Sequence, residues 1–157
     1  MSAQELIDEI LLQEQELQFT KFTSEDALQL GLLILDNVKK NYKKSVAIDI
    51  TVNNLQLFRH MMDGATLDNE NWIRRKSNSV KWFGHSSYWL GNTLQVKGKT
   101  LEEAYLLSGK DYASHGGSFP IIIKNVAGTV GHITVTGLKQ WEDHGVIVDS
   151  IRQYLSK

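Results

Sequence analysis

The sequence predicts an α+β domain: a central, mainly antiparallel sheet of about five strands with helices packed on both faces. Three observations carry this. Residues 45–52 (Ser-Val-Ala-Ile-Asp-Ile-Thr-Val) alternate at period two and are rich in β-branched side chains. Asn53-Asn54 suits a tight turn, so the next run folds back as a hairpin, and hairpin neighbours are antiparallel. Helical periodicity lies before, between and after the strand patterns.

The elements follow in order. In residues 3–18, Leu6, Ile7, Ile10, Leu11, Glu14 and Leu17 recur at spacings of three and four with acidic residues between, which predicts an amphipathic helix. A second helix starts at Thr23-Ser24, with Asp26 at capping-box spacing from Thr23, and runs to about Lys40. Leu28, Leu30, Leu32, Leu33, Ile34, Leu35 and Val38 go nearly all the way round it, so it should be buried on every side. The hairpin pairs 45–52 with 55–62, and Asp63-Gly64 closes it. Residues 67–95 read as two helical pieces broken near Gly84. Thr100 and Glu103 form a capping box for a short helix to about Leu107. Strands at 119–124 and 131–136 flank a turn through Asn125–Gly128, and a last helix spans 140–155 with Val146, Ile147, Ile151 and Leu155 on one face.

At 157 residues the chain is expected to form one domain over 1–157, with N-terminal helices at 3–40 and the sheet and remaining helices at 45–157. Seventeen Lys and Arg against eighteen Asp and Glu give a net charge of −1, which argues against a nucleic-acid binder or a polybasic membrane binder. There is no cysteine. Disulfides, thiolate nucleophiles, Cys-ligated zinc and iron–sulfur clusters are excluded, and a cytoplasmic location fits. The acidic, polar start Met1–Leu6 has no signal-peptide pattern. The apolar run Leu30–Leu35 is far short of the roughly 20 residues that cross a bilayer. No Walker loop, GxGxxG, GxSxG or His-x-x-x-His pair occurs, so neither a phosphate loop nor a metal site is indicated.

Chemistry concentrates in Tyr112-Ala113-Ser114-His115-Gly116-Gly117-Ser118-Phe119-Pro120. The Gly pair permits positive φ and close approach of a partner, and the only proline leads into the apolar run Ile121–Ile123. Such a loop is either a binding site or a structural entry into a strand. His115 titrates near pH 6.5 when unperturbed, which suits an acid/base or an axial ligand; otherwise it caps backbone. Asp143-His144 opens the last helix, where an acid also suits the helix dipole. His132 and His60 fall in strand patterns and read as structural, while His85 sits at a helix break beside Ser86 and Ser87. Arg74-Arg75-Lys76 forms a basic patch suited to carboxylate or phosphate, or a solvated helix face. Trp72, Trp82, Phe83, Tyr88 and Trp89 are core and interface residues or an aromatic wall for a flat ligand.

Arg75–Val80, His85-Ser86-Ser87, Asp111–Ile121 and Gly131–Leu138 with Asp143-His144 occur in that order over about residues 20–155. Together they resemble the signature blocks of a widespread family of small uncharacterised proteins. That family is similar to the haem-binding and haem-degrading domain superfamily, which also holds glycolate-operon accessory proteins and the C-terminal domain of some corrinoid adenosyltransferases. The resemblance implies a profilin-like α-β-α sandwich and homo-oligomers. It marks Arg75, Lys76, His115, Gly116, Gly117, Phe119, Asp143 and His144 as the matching positions. Thr136 stands where Ser is usual and Lys139 where Pro is common; the first change keeps the hydroxyl, and the second loosens the turn before the last helix.

Three functions are compatible with these residues. The first is a small-ligand-binding protein in which His115 and the Gly116-Gly117 backbone hold an anion with Arg75, Lys76 and Asp143-His144. Haem is the ligand the resemblance suggests, with His115 axial, Arg or Lys on the propionates and aromatic side chains, Phe119 among them, nearby. The second is an enzyme with His115 and Asp143, or His144, as an acid–base set, which requires hydrogen-bond reach between them. The third is an oligomeric assembly module without catalysis.

Overall fold

The computed structural model describes residues 1–157. Helix α1 spans Ala3–Glu16 and α2 spans Ser24–Asn41. Strands β1 (Ala47–Val52) and β2 (Leu55–Met61) form the predicted hairpin, joined through Asn53 and Asn54, both at positive φ. Helices α3 (Leu67–Phe83), α4 (Ser87–Lys97) and α5 (Leu101–Tyr105) follow. Strands β3 (Ser118–Ile121) and β4 (Gly131–Thr136) and helix α6 (Gln140–Leu155) complete the chain. The helix starts are fixed locally: Ser2, Thr23, Thr66 and Thr100 each close a capping box that satisfies free N–H groups of the first turn. Gly84 ends α3 in the left-handed conformation, which is the break expected there.

The sheet has four strands in the order β2-β1-β4-β3, every neighbouring pair antiparallel. The nearest feature to a fifth strand is a parallel bridge between Phe19 and Ile123. There the Phe19 N–H donates to the Ile122 carbonyl and the Lys124 N–H donates to the Phe19 carbonyl. β3 itself stops at Ile121, where its pairing with Gly131 of β4 ends, short of the expected 119–124. Pro120 lies in the edge strand β3, where a missing N–H is tolerated.

Alternation sorts the two faces of the sheet. Ile48, Ile50, Phe119, Ile121, Ile133 and Val135 share one core with Ala27, Leu30, Ile34 and Val38 of α2 and with Val146, Ile147 and Ile151 of α6. The opposite face turns Asp49, Ser118, His132, Thr134 and Thr136 toward α3, all of them buried. The sheet is thus oily on one side and polar on the other. A second cluster, Leu90, Leu94, Leu101 and Leu107, joins α4 to α5 and the following loop.

Helix α2 departs from the all-round burial expected of it. The sheet and α6 cover its inner side, but Leu28 and Leu32 remain 44% and 51% exposed. Two layers leave the outer third of the helix open, whatever its composition. Gly31 lets α2 close on β2, since a Cβ there would lie 2.6 Å from the Phe58 ring.

Candidate functional site

Thr66 caps α3 and starts a helix whose turns place Trp72 and Lys76 on one side, four residues apart. The loop before β3 is tied to that helix by backbone. The Ala113 N–H donates to the Arg75 carbonyl (3.1 Å), and Ser79 Oγ donates to the Ala113 carbonyl (2.7 Å). His115 is thereby held beside Trp72, its ring meeting the indole edge-on at 5.3 Å between centroids. The Arg75 guanidinium lies over the same indole at 4.5 Å, an attractive cation–π placement, and its Nε donates to the Gly109 carbonyl.

Beneath this rim Lys76 is buried, 3% exposed. Its ammonium donates to Asp143 Oδ2 at 3.0 Å and to the Val135 carbonyl at 3.2 Å. The other Asp143 oxygen accepts from the Leu138 N–H at 3.0 Å. Burial pushes the Asp143 carboxyl up to about 6 against the opposing pull of Lys76, and burial pushes the Lys76 amine down. Gly117, at φ +133°, supplies the room: a Cβ there would come 2.5 Å from Lys76 Nζ. Gly116 is pressed against α6, where a Cβ would lie 2.5 Å from the Gln140 carbonyl, and its N–H donates to Gln140 Oε1. The Gly-Gly pair is therefore required by close packing over a buried ion pair.

Trp72, Lys76, His115, Thr136, Leu138 and Asp143 line a pocket of about 310 Å³, with Asp68, Asn69, Gly137 and Gln140 at its borders. His115 stands exposed at the mouth. Partial burial of the ring, then the charges of Lys76 and Arg75, lower its pKa, so the imidazole is neutral at pH 7. A neutral imidazole with free ring nitrogens can accept a metal or a proton.

The predicted site residues separate in the structure. His115, Lys76 and Asp143 share the pocket, Gly117 packs beneath it, Gly116 beside it, and Arg75 sits on its rim through Trp72. His144 does not join them. Consecutive helical residues point about 100° apart, so His144 faces α1. Its Nε2 meets Gln13 Oε1 at 2.7 Å, its ring packs on Tyr88 and Phe119, and burial holds it down to about 3. Phe119 is fully buried in the apolar core on the other face of the sheet, which removes it from ligand contact. No hydrogen bond joins His115 to Asp143; the two Asp143 oxygens are taken by Lys76 and Leu138.

His85 and His132 lie outside this pocket. His85 ties α1 to the start of α4: its Nδ1 lies 2.6 Å from Glu14 Oε1, and its ring stacks on Trp89. His132 is buried, as a strand residue should be, yet its Nδ1 has no hydrogen-bond partner. Gln140 and Leu138 were missed because polar and apolar residues near a helix start carry no local signal for a pocket. Gly137, at φ +136°, bends the chain just before them.

Comparison with known proteins places this chain in a family. The family described as haem degrading protein, HbpS-like, matches residues 22–152. A UPF0303 protein of Rhizobium etli is 42% identical over 157 residues, covering 100% of this chain and 94% of its own length. The crystal structure of Ybr137w protein superposes with a TM-score of 0.89 at 37% identity, over 96% of this chain and 87% of that one. A PduOC:haem complex shares the fold, with a TM-score of 0.69 at 16% identity over 83% of this chain and 93% of that one. Matched by the family over most of its length, with the helix-flanked antiparallel sheet of its structural neighbours, this chain belongs to the HbpS-like haem-degrading protein family.

Proposed function

We propose that this protein is a ligand-binding protein that takes a flat anionic ligand of the haem class at the His115 pocket. The observation that carries the reading is the exposed, neutral His115 imidazole, set edge-on to Trp72 beside the Arg75 guanidinium. The donor set suits haem: His115 would ligate iron, and Arg75 would meet a propionate. The family description and the haem in the PduOC complex support the choice of ligand. Bound haem would supply an iron centre and visible absorption. The chain's own part is to present a neutral imidazole, place a cation at the rim and keep Lys76 neutralised by Asp143.

The pocket also sets a limit. Only Trp72 and Leu138 are apolar among its ten lining residues, and about 310 Å³ does not enclose a macrocycle. Haem would bind across the mouth, exposed and exchangeable. Titration with haemin tests this. A saturable visible band that is lost in His115→Ala supports the proposal, and unchanged binding by that variant, or no band with the native chain, overturns it.

We further propose that chains self-associate through the outer face of α2, supported by the exposed Leu28 and Leu32. Light scattering on the native chain and on a Leu28→Glu, Leu32→Glu variant checks this: an oligomer that the variant dissociates is expected, and a native monomer refutes it.

A further inference from the structure

Between the polar face of the sheet and α3 lies a second cavity, of about 490 Å³, larger than the His115 pocket. Of its 14 lining residues only Leu67 and Ile73 are apolar. Its wall holds His132, 4% exposed, whose Nδ1 is shut off from solvent and has no hydrogen-bond partner. Asp49 is the nearest acid, with Oδ2 at 3.6 Å, too long for a hydrogen bond. Asp49 is also already occupied, accepting from Thr51 Oγ1 at 2.9 Å, Gln56 Nε2 at 3.0 Å and Arg59 Nε at 3.3 Å.

The charges in the cavity are unbalanced in one place. Arg59 is matched by Asp49 and Glu70, and Arg74 by Asp111. Lys81 lines the cavity and an adjoining one of about 190 Å³, which also shares Thr51 and His132, and it makes no ion pair. Nδ1 lies out of a ligand's reach beside Asp49, and the other edge of the His132 ring lines the cavity; with the unmatched Lys81 ammonium, among hydroxyls and amides, it is complementary to a small anion that carries hydroxyl groups. With two apolar residues in fourteen, the lining suits a hydroxylated ligand and not a lipid.

We infer that this cleft is a second ligand site that takes a polyhydroxylated anion of the sugar phosphate or sugar acid class, with Lys81 on the charged group and His132 on a hydroxyl. The volume falls within the range of about 300–1,000 Å³ typical of small-molecule sites. The site is independent of the His115 pocket, which lies on the other side of α3 with no lining residue in common.

Glucose 6-phosphate, gluconate and glucose are the probes, each followed by NMR on the full chain, up to about 10 mM, above the roughly millimolar Kd of a weak site. The expected result is saturable shifts of the His132 ring signals and the Thr51 and Asn78 amides with at least one charged sugar, and binding of glucose at least about tenfold weaker. Lys81→Ala removes an exposed side chain and should bring the charged sugar down to the affinity of glucose. Response to glucose 6-phosphate alone selects the phosphate, response to gluconate alone selects the carboxylate, and response to both supports the shared class. The proposal is overturned if no probe moves His132, if the shifts map to His115 and Trp72 instead, or if Lys81→Ala binds as the native chain does.

Discussion

Lys76 occupies the space where a side chain at position 117 would begin: a Cβ on Gly117 would lie 2.5 Å from the ammonium and 2.5 Å from the Val135 carbonyl. The glycine and the buried lysine therefore depend on each other, and the loop carrying His115 is anchored by that dependence.

Gly117→Ala adds both this clash and a side chain at φ +133°. A loss of about 3 kcal/mol is expected, from strained backbone and overpacking together. Gly128, at φ +73° with open space around it, provides the comparison, and Ala there should cost about 1 kcal/mol. Urea unfolding of both variants measures the difference, and equal losses would show that the contact with Lys76 is not limiting.

Lys76→Met leaves the Asp143 carboxylate buried without its cation, with an expected cost of about 3–5 kcal/mol at pH 7. The cost should shrink as pH falls. A carboxyl whose folded pKa is raised contributes stability that is present below its unfolded pKa and lost as pH rises through the folded one. For Asp143 that window runs from the ordinary carboxylate value of 3.8 up to about 6, and in the variant it extends higher. Urea midpoints of variant and native chain compared at pH 7 and pH 5 test this; a gap that widens toward pH 5 refutes it.

The native chain should lose stability in mild acid. His132 and His144 are held neutral by burial, down to about 4 and about 3. A depressed histidine contributes stability that is present above its unfolded value of 6.5 and lost as pH falls toward the folded one. Asp143 opposes one of these two protons between about 6 and 4. These three groups together give a slope of about one proton, or about 1.4 kcal/mol per pH unit, and the lowered His115 adds in the same direction. His144→Gln, which can keep a hydrogen bond to Gln13, should flatten that slope; chemical denaturation at stepped pH reads it directly.

At the His115 pocket the two haem contacts should separate spectroscopically. Arg75→Ala removes a charge at the rim and should weaken haemin about tenfold, in line with about 1.5 kcal/mol for a charged hydrogen bond, while leaving the absorption maximum in place. His115→Ala should abolish the band. If Arg75→Ala moves the maximum as well, the guanidinium is acting on the iron ligand and not on the propionate.

The element order was legible from the sequence because caps and periodicity are local: Thr23 with Asp26, Thr100 with Glu103, and the alternation through Ala47–Val52 each specify their own structure. The site was legible in part. His115 and the Gly-Gly pair announce a special loop, and Lys76 with Asp143 came through the family resemblance. Which neighbours share a pocket was not legible, because helical phase decides it. Asp143 and His144 are adjacent in the chain and face different layers. Phe119 follows the site loop directly, yet strand alternation sends it into the opposite face. The cleft around His132 was hidden for the same reason, since Asp49, Arg59, Lys81 and His132 come from four separate elements or turns of the fold.

The two margins of the sheet are not equivalent. At β3, Pro120 has no N–H to offer, and Phe19 already occupies the backbone groups around Ile123. A strand from elsewhere finds no continuous template on that side. The β2 margin carries no proline, and Leu55 lies 64% exposed at its start. Main-chain pairing between molecules can therefore proceed only from β2 to β2, and each such union consumes the single open edge of both participants. Association by this route stops at a closed pair, so the arrangement of one proline and one bridging phenylalanine protects the fold against runaway fibre growth.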